Sequence, residues 1–95
     1  MFLGAFHFDG DLDAIVRGYT RLLATYPPDS LLLHVAIDRP NGVTVFDACP
    51  SRADFDGFTS GEGFRAAVVS AGLPFPRIEP LGEVRTTRVR EGVAT

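Results

Sequence analysis

Residues 31–48 read LLLHVAIDRPNGVTVFDA, and the fold turns on them. Residues 31–38 are too few for a typical buried helix and β-branched toward their end, so they read as a strand. Arg39-Pro40-Asn41-Gly42 follows, and Asn-Gly readily takes the positive φ angles of a tight hairpin turn. Residues 43–48 (VTVFDA) are the returning strand. The stretch is an antiparallel hairpin at the centre of the chain.

Working outward, residues 1–8 (MFLGAFHF) are short, Phe-rich and closed by Asp9-Gly10-Asp11. They read as a strand covered on both faces. From Asp11 onward, Leu12, Ile15, Val16, Tyr19, Leu22, Leu23 and Tyr26 recur at three- and four-residue steps, the apolar stripe of a helix. Asp9 or Asp11 caps its start, and Pro27-Pro28 stops it. After the hairpin, Ser51 with Asp54 three residues on resembles a capping box. A second helical region runs to about residue 71, interrupted near Ser60-Gly61-Glu62-Gly63. Phe55, Phe58, Phe64, Ala67, Val68 and Ala71 form its apolar side. Gly72 ends it as a left-handed C-cap, with Pro74 and Pro76 beyond. Residues 77–89 read as a final strand, which Pro80 and Gly82 demote to a bulged edge.

The order β-α-β-β-α-β predicts one α+β, ferredoxin-like domain over residues 1–95. Right-handed crossovers place two helices on one face of a four-stranded antiparallel sheet. The other face is left bare, and a mostly apolar bare face is unexpected on a stable monomer. A homodimer through the sheet face resolves this.

Composition excludes several classes. Nine Arg and no Lys against twelve Asp and Glu give a net charge of −3, so no basic patch serves a nucleic acid. One Cys rules out an internal disulfide and multi-Cys zinc patterns. No helical His pair or Glu-x-x-His spacing appears, so no metal is assigned. No apolar run approaches the ~20 residues that span a bilayer, and no export signal is visible, so a cytoplasmic protein is expected.

With these elements placed, the chain resembles the dimeric α+β barrel superfamily, and within it the small antibiotic-biosynthesis-monooxygenase-like proteins. The resemblance rests on residues 55–67, FDGFTSGEGFRAA, and 71–74, AGLP: a Phe-bearing helix, a Ser-x-Glu-x-Phe restart and a Gly-Leu-Pro end. It implies membership among cofactor-independent oxygenases, haem-degrading enzymes, polyketide cyclases, isomerases and proteins of no known activity. It also implies ligand binding between sheet and helices. The chain has no Trp, on which haem-degrading members and the best-known oxygenases rely. That removes the haem-degrading reading and weakens the oxygenase one, leaving members that use other residues.

The hairpin decides which side chains share a face. A two-residue turn at Asn41-Gly42 pairs His34 with Cys49, and a loop from Arg39 to Gly42 pairs His34 with Asp47. Either register groups His34, Ala36, Asp38, Val45, Asp47 and Cys49. Leu33, Val35, Ile37, Phe46 and Ala48 form the other group, the expected helix-packed core. If Phe2, Phe6 and Phe8 also face the helices, His7 joins His34 and Asp47. A His beside an Asp can act as a general base, so His7, His34 and Asp47 are the catalytic candidates. The same residues also fit polar contacts at a dimer face. Tyr19 and Tyr26 fall on the helical stripe seven residues apart and are candidates to bind a substrate oxygen, or core residues with hydroxyls at the rim. Phe6, Phe46, Phe58 and Phe64 suit the wall of a small aromatic-ligand cavity, and Arg65 could meet a ligand carboxylate or simply be solvated. Cys49 reads as a small buried residue.

The leading expectation is a small cofactor-independent, oxygenase-like enzyme acting on an aromatic or polyketide-type substrate by proton abstraction. A cyclase or isomerase would use the same proton chemistry. A non-catalytic ligand-binding or assembly module of the same fold is the rival from another class.

Overall fold

The computed structural model describes residues 1–27 and 30–90. Strand β1 (Phe2–Asp9) leads into helix α1 (Leu12–Leu23), and strands β2 (Leu33–Arg39) and β3 (Gly42–Cys49) form the hairpin. Helices α2 (Arg52–Thr59) and α3 (Glu62–Ser70) then precede strand β4 (Arg77–Glu83). The sheet order is β2-β3-β1-β4, and every neighbouring pair is antiparallel. This is the expected ferredoxin-like α+β arrangement. The break at Ser60-Gly61 divides the second helical region in two.

Local chemistry accounts for the ends of these elements. Asp11 caps α1 by accepting the Ala14 N–H at 3.1 Å. The helix stops at Leu23 rather than at the prolines. Thr25 and Tyr26 donate to the carbonyls three residues back, which tightens the last turn, so Tyr26 lies beyond the helix. Ser51 caps α2 by accepting the Asp54 N–H at 3.1 Å. Gly72, at φ +75°, ends the α3 turn, with Leu73 N–H donating back to the Val68 carbonyl at 3.2 Å. Strand β4 ends six residues earlier than residue 89. Its register with β1 slips between Leu3 and Gly4, the bulged edge that Pro80 and Gly82 foretold.

In the hairpin, Arg39 pairs with Gly42, Asp38 with Val43 and His34 with Asp47. The His34–Asp47 register is the correct one of the two. The grouping of side chains holds, but its orientation is the reverse of the expectation. Phe2, Phe6 and Phe8 face the helices, and in the antiparallel register they bring Cys49, Val45 and Val43 to the same side. His34 and Asp47 lie on that side too. Val35 and Ile37, 43 % and 44 % exposed, occupy the open side, together with half-buried Phe46. Phe46 is therefore not part of the helix-packed core. The patterning misled because both faces of the sheet are apolar, so alternation alone does not say which one the helices choose.

The core on the helix side is aromatic. Phe55, 1 % exposed, meets Phe2 and Phe6 with ring centroids 5.4 and 5.8 Å away. Gly4 makes this packing possible: a Cβ there would sit 2.0 Å from Phe55 Cε2. Phe6 also packs on Phe64 at 5.5 Å, and Phe64 on Phe58 at 4.8 Å.

Candidate active site

A cavity of about 530 Å³ lies between the helix side of the sheet, α1, the start of α2, and the segment that follows α1. Phe6, Phe8 and Val45 of the sheet, Leu22 of α1, Phe58 of α2 and Phe64 of α3 supply most of its apolar wall. A volume of this size accommodates a small aromatic molecule. The cavity replaces some of the close packing a core would have at this end of the sheet.

One wall is polar. His34 Nδ1 lies 2.5 Å from Asp47 Oδ1, and His34 Nε2 lies 2.6 Å from the Tyr19 hydroxyl. The Asp47 carboxylate can only accept, so His34 Nδ1–H donates to it; in the neutral tautomer this leaves Nε2 to accept from the Tyr19 hydroxyl. The Tyr19 and His34 rings are parallel within 1°, with centroids 5.9 Å apart. The three side chains come from three elements. Helix α1 brings Tyr19 across the sheet, and the β2–β3 register sets His34 directly beside Asp47. Asp47 is 8 % exposed, in apolar surroundings where an unpaired carboxylate would be costly, so the bond to His34 also stabilises it.

These surroundings act on the neighbouring acids. Burial, and then the Asp47 charge, push the Tyr19 phenol above its ordinary range, and Tyr26 likewise. Tyr19 is thus a protonated donor to His34 at neutral pH. Burial also raises the Cys49 thiol, with the charges of Asp47 and Asp54 adding to it, so Cys49 is not an activated nucleophile.

Of the residues singled out from the sequence, His34, Asp47, Tyr19, Tyr26, Phe6, Phe58 and Phe64 all line this cavity. Tyr26 does so from the turn after α1, with its ring edge-on to Phe58 at 6.0 Å. Three others are elsewhere. His7 is on the opposite face of the sheet, where Nδ1 meets the Thr44 hydroxyl and Nε2 meets Glu79 Oε1, each at 3.0 Å. It does not join His34 and Asp47, because alternation along β1 sends His7 away from the side taken by Phe6 and Phe8. Phe46 is on the open face as well. Arg65 projects from α3 over the Phe75 ring, 4.5 Å from its centroid, and does not line the cavity.

Two titratable cavity residues, Asp54 and Cys49, were not singled out for such a role. Asp54 was read only as a cap partner, and Cys49 only as core; both line the wall. The spacing of Asp54 and Phe58, four residues apart on one helix, was the available signal that they share a face. Among the described residues no group of three or more His, Cys, Asp or Glu is placed to hold a metal ion. Among them, too, no helix is long and apolar enough to cross a membrane.

An open antiparallel sheet with helices on one face, and a cavity enclosed beneath them, is an α+β architecture that other proteins share. The crystal structure of a candidate antibiotic biosynthesis monooxygenase from Deinococcus radiodurans aligns with this chain at a TM-score of 0.65. The alignment covers 95 % of this chain and 99 % of that one, at 11 % sequence identity. At that identity the likeness is one of fold. No family model and no curated protein matches the sequence.

Proposed function

We propose that this protein is a small oxygenase-like enzyme that takes a proton from an aromatic or polyketide-type substrate held in the cavity. The observation that carries the reading is the Tyr19–His34–Asp47 chain of hydrogen bonds opening onto a mostly apolar space. The fold's likeness to a candidate antibiotic biosynthesis monooxygenase favours the same class. In this scheme a substrate hydroxyl, or a C–H next to a carbonyl, gives its proton to the Tyr19 oxygen as Tyr19 passes its own to His34 Nε2. The imidazolium that results is held by the Asp47 carboxylate. Asp47 stays ionised and the net change is one proton moved from substrate to His34.

The substrate anion is then electron-rich enough to react with dioxygen. For a methylene carbon flanked by aromatic rings, a C–O bond forms and the hydroperoxide recovers the proton from His34. Loss of water, with removal of the second C–H, leaves a carbonyl. The carbon is oxidised from CH2 to C=O, and dioxygen ends as the carbonyl oxygen and one water. All of the electrons come from the substrate, so the scheme calls for no cofactor. Cyclisation or isomerisation would stop at the anion and consume no oxygen.

The reading includes a second copy of the chain packed on the open face. Val35 and Ile37 of β2 leave apolar surface there that a facing sheet would cover. Oxygen-electrode assays on hydroquinones and anthrones test the chemistry. Uptake that matches product formation one to one, undiminished after exhaustive dialysis against chelator, is expected. Turnover without oxygen uptake moves the assignment to a cyclase or isomerase, and binding without turnover of any kind moves it to a binding module. Sedimentation tests the pairing: a dimer is expected for the native chain and a monomer for Ile37→Asp.

A further inference from the structure

The cavity is one-sided in charge. The chain has nine arginines and no lysine, all the arginines fall among the described residues, and none lines the cavity. Several are committed elsewhere: Arg21 to the Ala71 carbonyl, Arg39 and Arg77 to Asp9, and Arg65 to the Phe75 ring. Among the described residues two carboxylates line it, Asp47 deep within and Asp54 in an exposed position at the first turn of α2. Asp54 is held in place by the Ser51 hydroxyl, which donates to its Oδ2 at 2.9 Å. Much of the remaining wall is aromatic, including Tyr26, Phe58 and Phe64.

An anion entering this space would face two carboxylates, Asp47 buried and Asp54 exposed, and no arginine; His34, the basic side chain on the wall, is already bonded to Asp47. A cation would meet two carboxylates and the electron-rich faces of aromatic rings. We infer that the substrate is a phenolic aromatic carrying no anionic group, and that a protonated amine is its preferred substituent. This rests on the proposal that the cavity is the substrate site. The proton-accepting chain at Tyr19 would then serve the phenol, and Asp54 would receive the ammonium group.

Three ligands of nearly equal size test it: 4-hydroxyphenethylamine, 4-hydroxyphenethyl alcohol and 4-hydroxyphenylacetate. Affinities come from titration calorimetry on the intact protein, and amide chemical shifts around Val45, Cys49 and Asp54 report whether binding is in the cavity. The amine is expected to bind about tenfold or more tighter than the acetate, with the alcohol between them, and the gap to narrow at high salt. In Asp54→Asn the amine-to-acetate ratio should fall by about threefold or more while the alcohol binds as before; its retained binding shows that the variant is folded. Acetate binding as tight as the alcohol, an unchanged ratio in Asp54→Asn, or cavity binding by none of the three overturns the inference. Its fate is separable from that of the enzymatic reading. Amine-selective binding with no turnover of any phenol leaves the inference standing and removes the enzyme, whereas efficient turnover of carboxylated phenols does the reverse.

Discussion

Replacing Tyr19 by Phe removes one oxygen atom and leaves the ring in place. The oxygen lies 2.6 Å from His34 Nε2, and Tyr19 is half-buried against the wall of the cavity. A hydrogen bond of this kind contributes a net ~0.5–1.5 kcal/mol to stability. The lower end applies here, because Nε2 faces a cavity that water can enter and the lone pair need not stay unpaired. The melting temperature should therefore fall by no more than about 4–8 °C, the shift that roughly 1 kcal/mol gives a domain of this length. Activity should respond on another scale. If the Tyr19 hydroxyl carries the proton to His34, its loss removes an acid–base step of the kind that contributes about 10²–10⁴-fold. The assay pairs thermal melts with kcat/KM for oxygen-coupled turnover of an anthrone or hydroquinone. A loss of a hundredfold or more, with melting lowered by only a few degrees, is expected. Activity within threefold of the native protein, at the same small stability cost, would show that the hydroxyl is a packing contact and refute the relay.

The remaining predictions concern pH and packing. Arg77, and then Arg39, hold the Asp9 carboxyl down to about 2, so its stabilising contribution is complete above the ordinary value of 3.8 and is lost as pH falls toward 2. Denaturation midpoints at pH 5 and pH 2 should differ more for the native chain than for Asp9→Asn, and equal differences would exclude the clamp. Tyr19 and Tyr26, the only tyrosines, are both harder to ionise folded than unfolded. Their contribution is therefore intact below pH ~10 and declines as pH rises beyond it; absorbance titration at about 295 nm should show ionisation later in the native protein than in denaturant. Gly4→Ala places a methyl 2.0 Å from the buried Phe55 ring and should cost about 1–3 kcal/mol in urea unfolding. Most of that should return in Gly4→Ala with Phe55→Leu, and a neutral single variant would contradict the packing.

Most of the architecture was legible without coordinates, because periodicity and punctuation are local. The α1 stripe, the caps at Asp11 and Ser51, the break at Ser60-Gly61 and the bulge near Pro80 all arise from residues close together in the chain. Pairwise placement of His34 beside Asp47 was also within reach, since an even change of register leaves the grouping intact. The misplacement of His7 and Phe46 has a single source. With apolar side chains on both sides of the sheet, the polar pair His34–Asp47 was assigned outward, when it is the polar spot of an internal wall.

Local sequence thus determined which segments are strands and helices, in what order, and which strand residues share a side. Those outcomes depend on backbone preferences and on spacings of two or 3.6 residues. Tertiary packing alone decided which side the helices cover, that Tyr19 reaches His34 from a different element, and that Asp54 and Cys49 turn toward the same space. Each of these depends on how α1 and α2 sit over the sheet, which is set by Phe55 fitting above Gly4 and by the other aromatic contacts between distant parts of the chain.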